Sequence, residues 1–394
     1  MKKLKRAPKH RLTALSLFSG AGGMDLGVKQ AGFNILACIE VDPFCCATLR
    51  RNVERNLENT EVIEADIRKI NPSKLLDQLK LKSGELTLLC GGSPCQSFSQ
   101  IGQRGCLDDA RGLLLFEFVR FAKILKPKVI MIEQVKGLLN APNISGVRGG
   151  ALKSLEDKLK RLGYLTKYRV LNAADFGVPQ RRQRVFLIAT SQGVSFNFPS
   201  PTYQASENTL SALFPLPCYT TVGQAIRGLR PPKRKGLKKV AIPEDSHLDV
   251  TPLGDRTRIQ GVGEGSHLAR ELHLPKEQRG RLTKKDTTKF RRLSRNEPAN
   301  TLRCGEIFFH PTEDRYLTPR EYLRIHGYPD HYQLAGPIRG RSGQAKNLDQ
   351  HRQVANSVPP PLAYALAVAI RKSLQTWYVT PTESDVAFAA YANG

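Results

Sequence analysis

Five short apolar runs, TALSLF, ILACIEV, EVIEADI, LTLLC and KVIMIEQ, recur between residues 12 and 190, separated by amphipathic stretches such as DPFCCATLRRNVERN and GLLLFEFVRFAKILK. No other feature constrains the fold as strongly. Runs this short and this apolar suit strands covered on both faces, and the helical spacing between them supplies the cover. The pattern predicts an α/β fold, a doubly wound and mostly parallel sheet with helices on both sides. Ligands of such sheets bind at the carboxyl ends of the strands, so the residues just after each run are the candidates for function.

After the first run comes FSGAGGMDLG, a glycine-rich turn opening a helix, where bare backbone lets a ligand approach. The second run ends in Glu40, twenty residues after Gly20, placed for a carboxylate that grips two ribose hydroxyls. The third ends in Asp66, either an acceptor for an adenine amino group or an ordinary turn residue. The fourth leads into GGSPCQSFSQ, where Pro94 presents Cys95 on a stiff corner; a free thiol is only about 3% thiolate at pH 7, so a nucleophile there needs help. The fifth run contains Glu133, a carboxylate whose burial would raise its pKa and let it serve as a general acid. Further on, FGVPQRRQRVFLIA sets Gln180, Arg182 and Arg184 at alternate positions of an extended segment. All three are expected on one side, as base-edge or anion donors or simply as an exposed basic strand.

Composition narrows the partners. The chain of 394 residues carries 61 Lys and Arg against 35 Asp and Glu, a net charge of +26. That surplus favours a polyanion, either nucleic acid or an acidic membrane face, with nucleic acid preferred. Between Ile226 and Asn296, 19 Lys and Arg face 8 Asp and Glu in a region with little periodicity, which reads as a solvated linker or an inserted second domain. Renewed order near RYLTPREYLRIHGYP favours the insert, and PPPLAYALAVAIRKSL reads as a final helix. The eight cysteines form no CxxC pair or zinc-ligand cluster, implying reduced thiols, a cytoplasmic protein and no metal. The basic N-terminus has no apolar core of a signal peptide, and no run is long enough to span a bilayer.

Taken in order, FSGAGG, EVDP, ADI, GGSPCQSFS, EQV, QRRQR, RYLTPRE and ANSVPP resemble the motif series of the DNA (cytosine-5)-methyltransferases, from residue 13 to about 372. The resemblance implies a Rossmann-like methyltransferase sheet over residues 12–190 and a smaller, irregular target-recognition domain over 191–345. A C-terminal helix, 350–376, would return to the first domain. It implies S-adenosylmethionine held by Phe18, Ser19, Gly20, Gly22, Gly23, Glu40, Val41, Asp66, Pro94, Asn356 and Ser357. It also implies a catalytic set of Cys95, Glu133, Arg182 and Arg184, with the thiolate adding to C6 of a cytosine swung out of double-stranded DNA. A monomer working beside a cognate restriction endonuclease, without a membrane, would fit the bacterial members.

Two positions depart from the family pattern: Gln134 stands where Asn is usual, and Ala355 where Gly is usual. Other classes fit less well. A zinc nucleobase deaminase needs H-x-E and P-C-x-x-C, and neither occurs. A thiol redox enzyme lacks a resolving cysteine near Cys95, and a non-catalytic DNA-binding protein leaves the strand-end residues unexplained. A cytosine-5 methyltransferase acting on transfer RNA is the nearest alternative, disfavoured by the long basic insert.

Overall fold

The computed structural model describes residues 12–94, 113–143, 145–205, 216–234, 241–280, 282, 290–304, 306, 308–339 and 347–379. The first half of the chain folds as β1 (Thr13–Leu17), α1 (Gly23–Gln30), β2 (Asn34–Glu40), α2 (Pro43–Asn56), β3 (Glu61–Glu64), α3 (Pro72–Gln78), β4 (Leu88–Gly92), α4 (Glu117–Leu125), β5 (Val129–Val135), α5 (Gly150–Arg161), β6 (Leu165–Asn172), β7 (Gln180–Arg181) and β8 (Gln183–Thr190). Seven of these strands form one sheet in the order β3-β2-β1-β4-β5-β8-β6. β1 to β5 run parallel, whereas β8 is antiparallel to both β5 and β6. The reversal of order between β1 and β4 opens the crevice where ligands of such sheets bind.

Alternation along the strands divides the core. Ala14, Ile35, Cys38, Leu88, Cys90, Val129, Met131 and Ile188 face one side, with Met24 and Val28 of α1. Leu15, Leu17, Ile39, Leu89, Ile130 and Ile132 face the other, covered by Leu75, Phe118, Phe121, Leu155 and Leu159 from α3, α4 and α5. Each such side chain, taken fully out of water, contributes roughly 1.5–3 kcal/mol before entropy is counted. Local signals set the helix starts: Asp42 caps α2 by accepting from the amides of Phe44 and Cys45, with Pro43 next, and Asn71 followed by Pro72 does the same for α3.

Beyond β8 lie the short helices α6 (Val222–Ile226), α7 (Leu253–Ile259) and α8 (Lys276–Arg279), several two-residue strand pairs, then α9 (Pro319–Ile325), α10 (Gln350–Asn356) and the long α11 (Pro360–Val379). α9 starts on a capping box of Thr318 and Glu321. The long helix α11 packs on α1, and its Leu362, Leu366, Ile370 and Leu374 complete the α1 side of the core. The approach depends on two glycines in α1. A Cβ at Gly23 or Gly27 would overlap the carbonyls of Val358 and Pro360, so only glycine admits α11 this close. A third cluster, Tyr322, Leu323, Ile325, Tyr328 and Tyr332, joins α9 and its following turn to Leu26 of α1.

Among the described residues no helix is long and apolar enough to cross a membrane, and no group of three or more His, Cys, Asp or Glu could hold a metal.

Candidate active site

The glycine-rich turn leaves β1 with Phe18 and Gly20 at positive φ, 56° and 54°, and Gly22 at 73° as the cap of α1. Gly20 earns its place by conformation alone, since an added Cβ there would meet nothing within 4 Å. The outer side of the turn is therefore open. Glu40, at the end of β2, fastens the turn from below: one carboxylate oxygen accepts the Gly20 amide at 2.8 Å, and the other accepts those of Val41 and Asp42, both at 2.8 Å. Burial pushes the Glu40 carboxyl above its ordinary range, opposed by these three bonds. Val41, beside it, is an apolar side chain 62% exposed.

Glu40→Ala would leave those amides without their acceptor as well as removing the anion. Loss of a charged hydrogen-bond acceptor costs about 1.5–3 kcal/mol, so affinity for the nucleoside cofactor that the sequence predicts at this turn should fall by roughly 10- to 150-fold. Titration calorimetry checks this, and an unchanged affinity removes Glu40 from the cofactor site.

Beneath the same turn lies a buried polar set that the motif reading misses. The Ser19 hydroxyl donates to Ser16 Oγ at 2.8 Å, and beside it the Cys38 thiol donates to Oδ1 of Asp25, whose carboxyl burial raises to about 6. Asp25 is fully buried, and its Oδ2 has no hydrogen-bond partner among the described residues. An acid at the third position of a glycine-started helix is an ordinary surface signal, and nothing in the sequence separates this buried one from it.

Asp66 sits two residues past β3, where it caps a short turn of helix and is gripped by its neighbour Arg68. The guanidinium reaches both carboxylate oxygens, at 2.6 to 3.1 Å, and holds the Asp66 carboxyl down to about 2. Asp66 thus caps this turn and pairs with Arg68.

Between β4 and β5 the pairing of Gly92 with Glu133 sets the acid beside the strand end that leads into Ser93 and Pro94. Pro94 is exposed at the sheet edge; Cys95 lies outside the described residues. A Cβ at Gly92 would stand 2.6 Å from Glu133 Oε2, so glycine is what lets the carboxylate lie against the start of this loop. Glu133 is 9% exposed and bonded by Arg184, whose Nε lies 3.0 Å from Oε1. Burial raises the Glu133 carboxyl, and the charges of Arg184 and then Arg182 pull against it. The antiparallel register of β8 on β5 supplies this contact by setting Arg184 opposite Val135.

Gln134 answers the question its substitution raises. Its Nε2 donates to both the carbonyl and the hydroxyl of Ser93 at 3.1 Å, while its Oε1 accepts the Val135 amide at 2.8 Å. The longer amide therefore reaches the base of the proline-cysteine loop. Gln134→Asn should keep or improve turnover, whereas Gln134→Ala should lose it, because a buried carbonyl is left unpaired and the loop is untied. Steady-state turnover of the two variants is the check; equal losses would mean that the loop is held another way. Ala355 likewise sits without disruption inside α10, 4% exposed.

The expected common role of Gln180, Arg182 and Arg184 needs correction. The extended segment breaks at Arg182, between β7 and β8. Gln180 and Arg182 are 0% and 1% exposed and turn into the protein. Gln180 accepts the Leu302 amide, and Arg182 donates to the carbonyls of Leu302 and Ser357 at 3.3 and 3.0 Å. The side they share is covered by a segment from 120 residues later, so it is not an open donor face. Arg184 alone of the three meets the acid. Asn356 is exposed at the end of α10, and Ser357, buried, follows it.

The sheet order with its antiparallel β8, the glycine turn braced by a strand-end carboxylate, and the buried Glu133 beside the β4 end that leads to Pro94 are features of the methyltransferase type of α/β enzyme. The model of the C-5 cytosine-specific DNA methylases matches residues 12–372, and the chain belongs to that family: it is a DNA (cytosine-5)-methyltransferase. It is 31% identical over 366 residues, 92% of this chain and 87% of the relative, to the type II methyltransferase M1.HphI of Haemophilus parahaemolyticus. Over 223 residues it is 43% identical to the type II methyltransferase M.AquIA of Picosynechococcus sp., covering 55% of this chain and 88% of that one. In fold it is similar to a protein described as a DNA modification methyltransferase of an Escherichia coli prophage, with a TM-score of 0.66 at 21% identity, covering 92% and 99% of the two chains.

Proposed function

We propose that the chain methylates C5 of cytosine within a specific sequence of double-stranded DNA, with S-adenosylmethionine as donor and Cys95 as the covalent nucleophile. The observation that carries this is the Glu133–Arg184 pair, held at 3.0 Å beside the β4 end where Gln134 binds Ser93. Glu40, the open side of Gly20 and the apolar Val41 fit the ribose and adenine of the donor, with Phe18, Ser19, Gly22, Gly23, Asn356 and Ser357 around them. When bound, the donor supplies an electrophilic methyl group on a sulfonium.

C5 of cytosine is too weakly nucleophilic to accept that group unaided. The Cys95 thiolate adds to C6, forming an S–C6 bond, while Glu133 gives a proton or hydrogen bond to N3, and the electron pair so displaced makes C5 an enamine carbon. Arg184, paired with Glu133, holds the base oxygen O2. Once C5 carries the methyl group, loss of its proton to a base drives elimination: the S–C6 bond breaks and the ring regains its double bond. Such chemistry requires the base to leave the helix, at a cost of a few kcal/mol that backbone contacts offset.

Residues 191–345 would supply those contacts and read the sequence, the basic run from Ile226 to Asn296 meeting phosphates. The type II relatives favour a cognate restriction endonuclease as functional companion and the cytoplasm as the place of work; we take the chain to act as a monomer. Methylome sequencing of cells expressing the protein, with purified duplex DNA and transfer RNA assayed side by side, tests the reading. One methylated duplex sequence is the expected result. Methylation of transfer RNA in preference to DNA would overturn it.

A further inference from the structure

α9 ends at His326, and the chain then turns through HGYPDHY, with Gly327 at φ +83°. Nothing in the proposed reaction uses this turn, yet its His326, Tyr328 and Tyr332 are buried and bond to both halves of the site. His326 is 0% exposed. Its Nδ1 lies 2.9 Å from Gln180 Nε2 and its Nε2 3.0 Å from the Ser357 carbonyl. An amide nitrogen can only donate and a carbonyl can only accept, so the ring is the neutral tautomer with its proton on Nε2. The same Ser357 carbonyl takes Arg182 Nη2, also at 3.0 Å. One imidazole thus joins the strand that leads to Arg184 with the loop that carries Asn356 and Ser357.

Six residues on, Tyr332, 0% exposed, donates its hydroxyl to the carbonyl of Ala21 at 2.6 Å. Tyr328 approaches the same carbonyl at 3.4 Å, its ring 4.8 Å from that of Tyr332. Ala21 lies between Gly20 and Gly22, the core of the cofactor turn, and a Cβ at Gly22 would stand 2.7 Å from the Tyr332 hydroxyl. The turn is itself held, since Arg320 Nη2 donates to the Tyr332 carbonyl at 2.9 Å.

We propose that the turn His326–Tyr332 is a positioning brace with two outputs, Tyr332 setting the glycine-rich cofactor turn and His326 setting the catalytic strand. Neither residue touches a reacting atom; each acts through the segment that it holds. The inference rests on the function proposed above, and its two outputs separate it from a merely structural role. A residue that only stabilised the fold would lower activity and binding together with melting temperature. Here the parameters should split.

Tyr332→Phe keeps the ring and removes one hydroxyl. Affinity of the full chain for S-adenosylmethionine should fall by roughly 5- to 10-fold, the value of one such hydrogen bond, with kcat at saturating cofactor within about twofold of wild type. His326→Leu should show the opposite split. Its kcat should fall by roughly 100-fold, the scale of a misplacement of about 1 Å at a reacting centre, with a smaller change in cofactor affinity than Tyr332→Phe. His326→Gln retains a donor and an acceptor and should recover most of the loss. The brace is overturned if Tyr332→Phe leaves cofactor affinity unchanged, or if the Leu and Gln variants at 326 lose kcat equally. If His326→Leu fails to fold, a full loss of kcat in a folded His326→Gln overturns the second output and a near-normal kcat sustains it. The function reading fails separately, through a wild-type chain that methylates no cytosine.

Discussion

Cys95→Ser is expected to abolish measurable turnover while leaving affinity for target DNA nearly intact. The hydroxyl that replaces the thiol is almost never ionised at pH 7, so addition to C6 loses its nucleophile and methyl transfer should drop by orders of magnitude. Binding survives because phosphate contacts and base extrusion make no use of sulfur. Parallel single-turnover methylation and equilibrium DNA binding separate the two quantities. Near-normal turnover in the serine variant would remove the covalent route; loss of both together would mean that the substitution damages the fold.

Glu133→Gln should be nearly as severe. The amide keeps the size of the acid and can still donate a hydrogen bond, but it cannot pass a proton to N3, and it leaves the Arg184 guanidinium without its anion at 3.0 Å. General acid catalysis contributes roughly 10²- to 10⁴-fold, and the rate of the chemical step should fall by that factor. Burial raises the Glu133 carboxyl, so its protonated, active form is present below that raised pKa and is lost as pH rises through it. The alkaline loss that this ionisation imposes on the wild-type rate should be missing from the variant. A decline of less than tenfold, with an unaltered pH profile, would assign the acid elsewhere.

How far the sequence discloses this molecule depends on whether a feature is local. β1, β2, β4 and β5 are legible because each is largely a continuous apolar run, whereas β3, Glu61–Glu64, carries only Val62 and Ile63 and is half-exposed at the sheet margin opposite β6. Glu40 and Glu133 stand out because a carboxylate interrupts or ends such a run. β6 is not legible: LTKYRVLN is the outer strand of the sheet, its first five residues are exposed or half-exposed, and its pattern is that of a surface. The antiparallel sense of β8 is equally hidden, since direction is fixed by how the chain returns and not by the residues of the strand.

Gln180 and Arg182 illustrate the limit of period-two reasoning. The rule says which side chains share a face, but not that Leu302 and Ser357 will cover it. Tyr332 and His326 lie beyond local reading for the same reason, their partners Ala21 and Gln180 being 311 and 146 residues away in sequence. Gln134 falls between these cases. Its substitution for Asn is visible in the sequence, but that its amide still reaches Ser93 is a fact of the β4–β5 pairing.

The covalent step can be read directly. A duplex carrying 5-fluorocytosine at the target position has no C5 proton to lose after methylation, so elimination is blocked and Cys95 should remain bonded to C6. Incubation of the full chain with this duplex and S-adenosylmethionine, followed by denaturing electrophoresis and intact-mass measurement, is the test. The covalent route predicts a denaturant-resistant complex whose mass is that of protein and DNA plus one methyl group, with the cross-link on the peptide containing Cys95 and absent from Cys95→Ser. An enzyme that methylates ordinary cytosine at the same site yet forms no such adduct would contradict it.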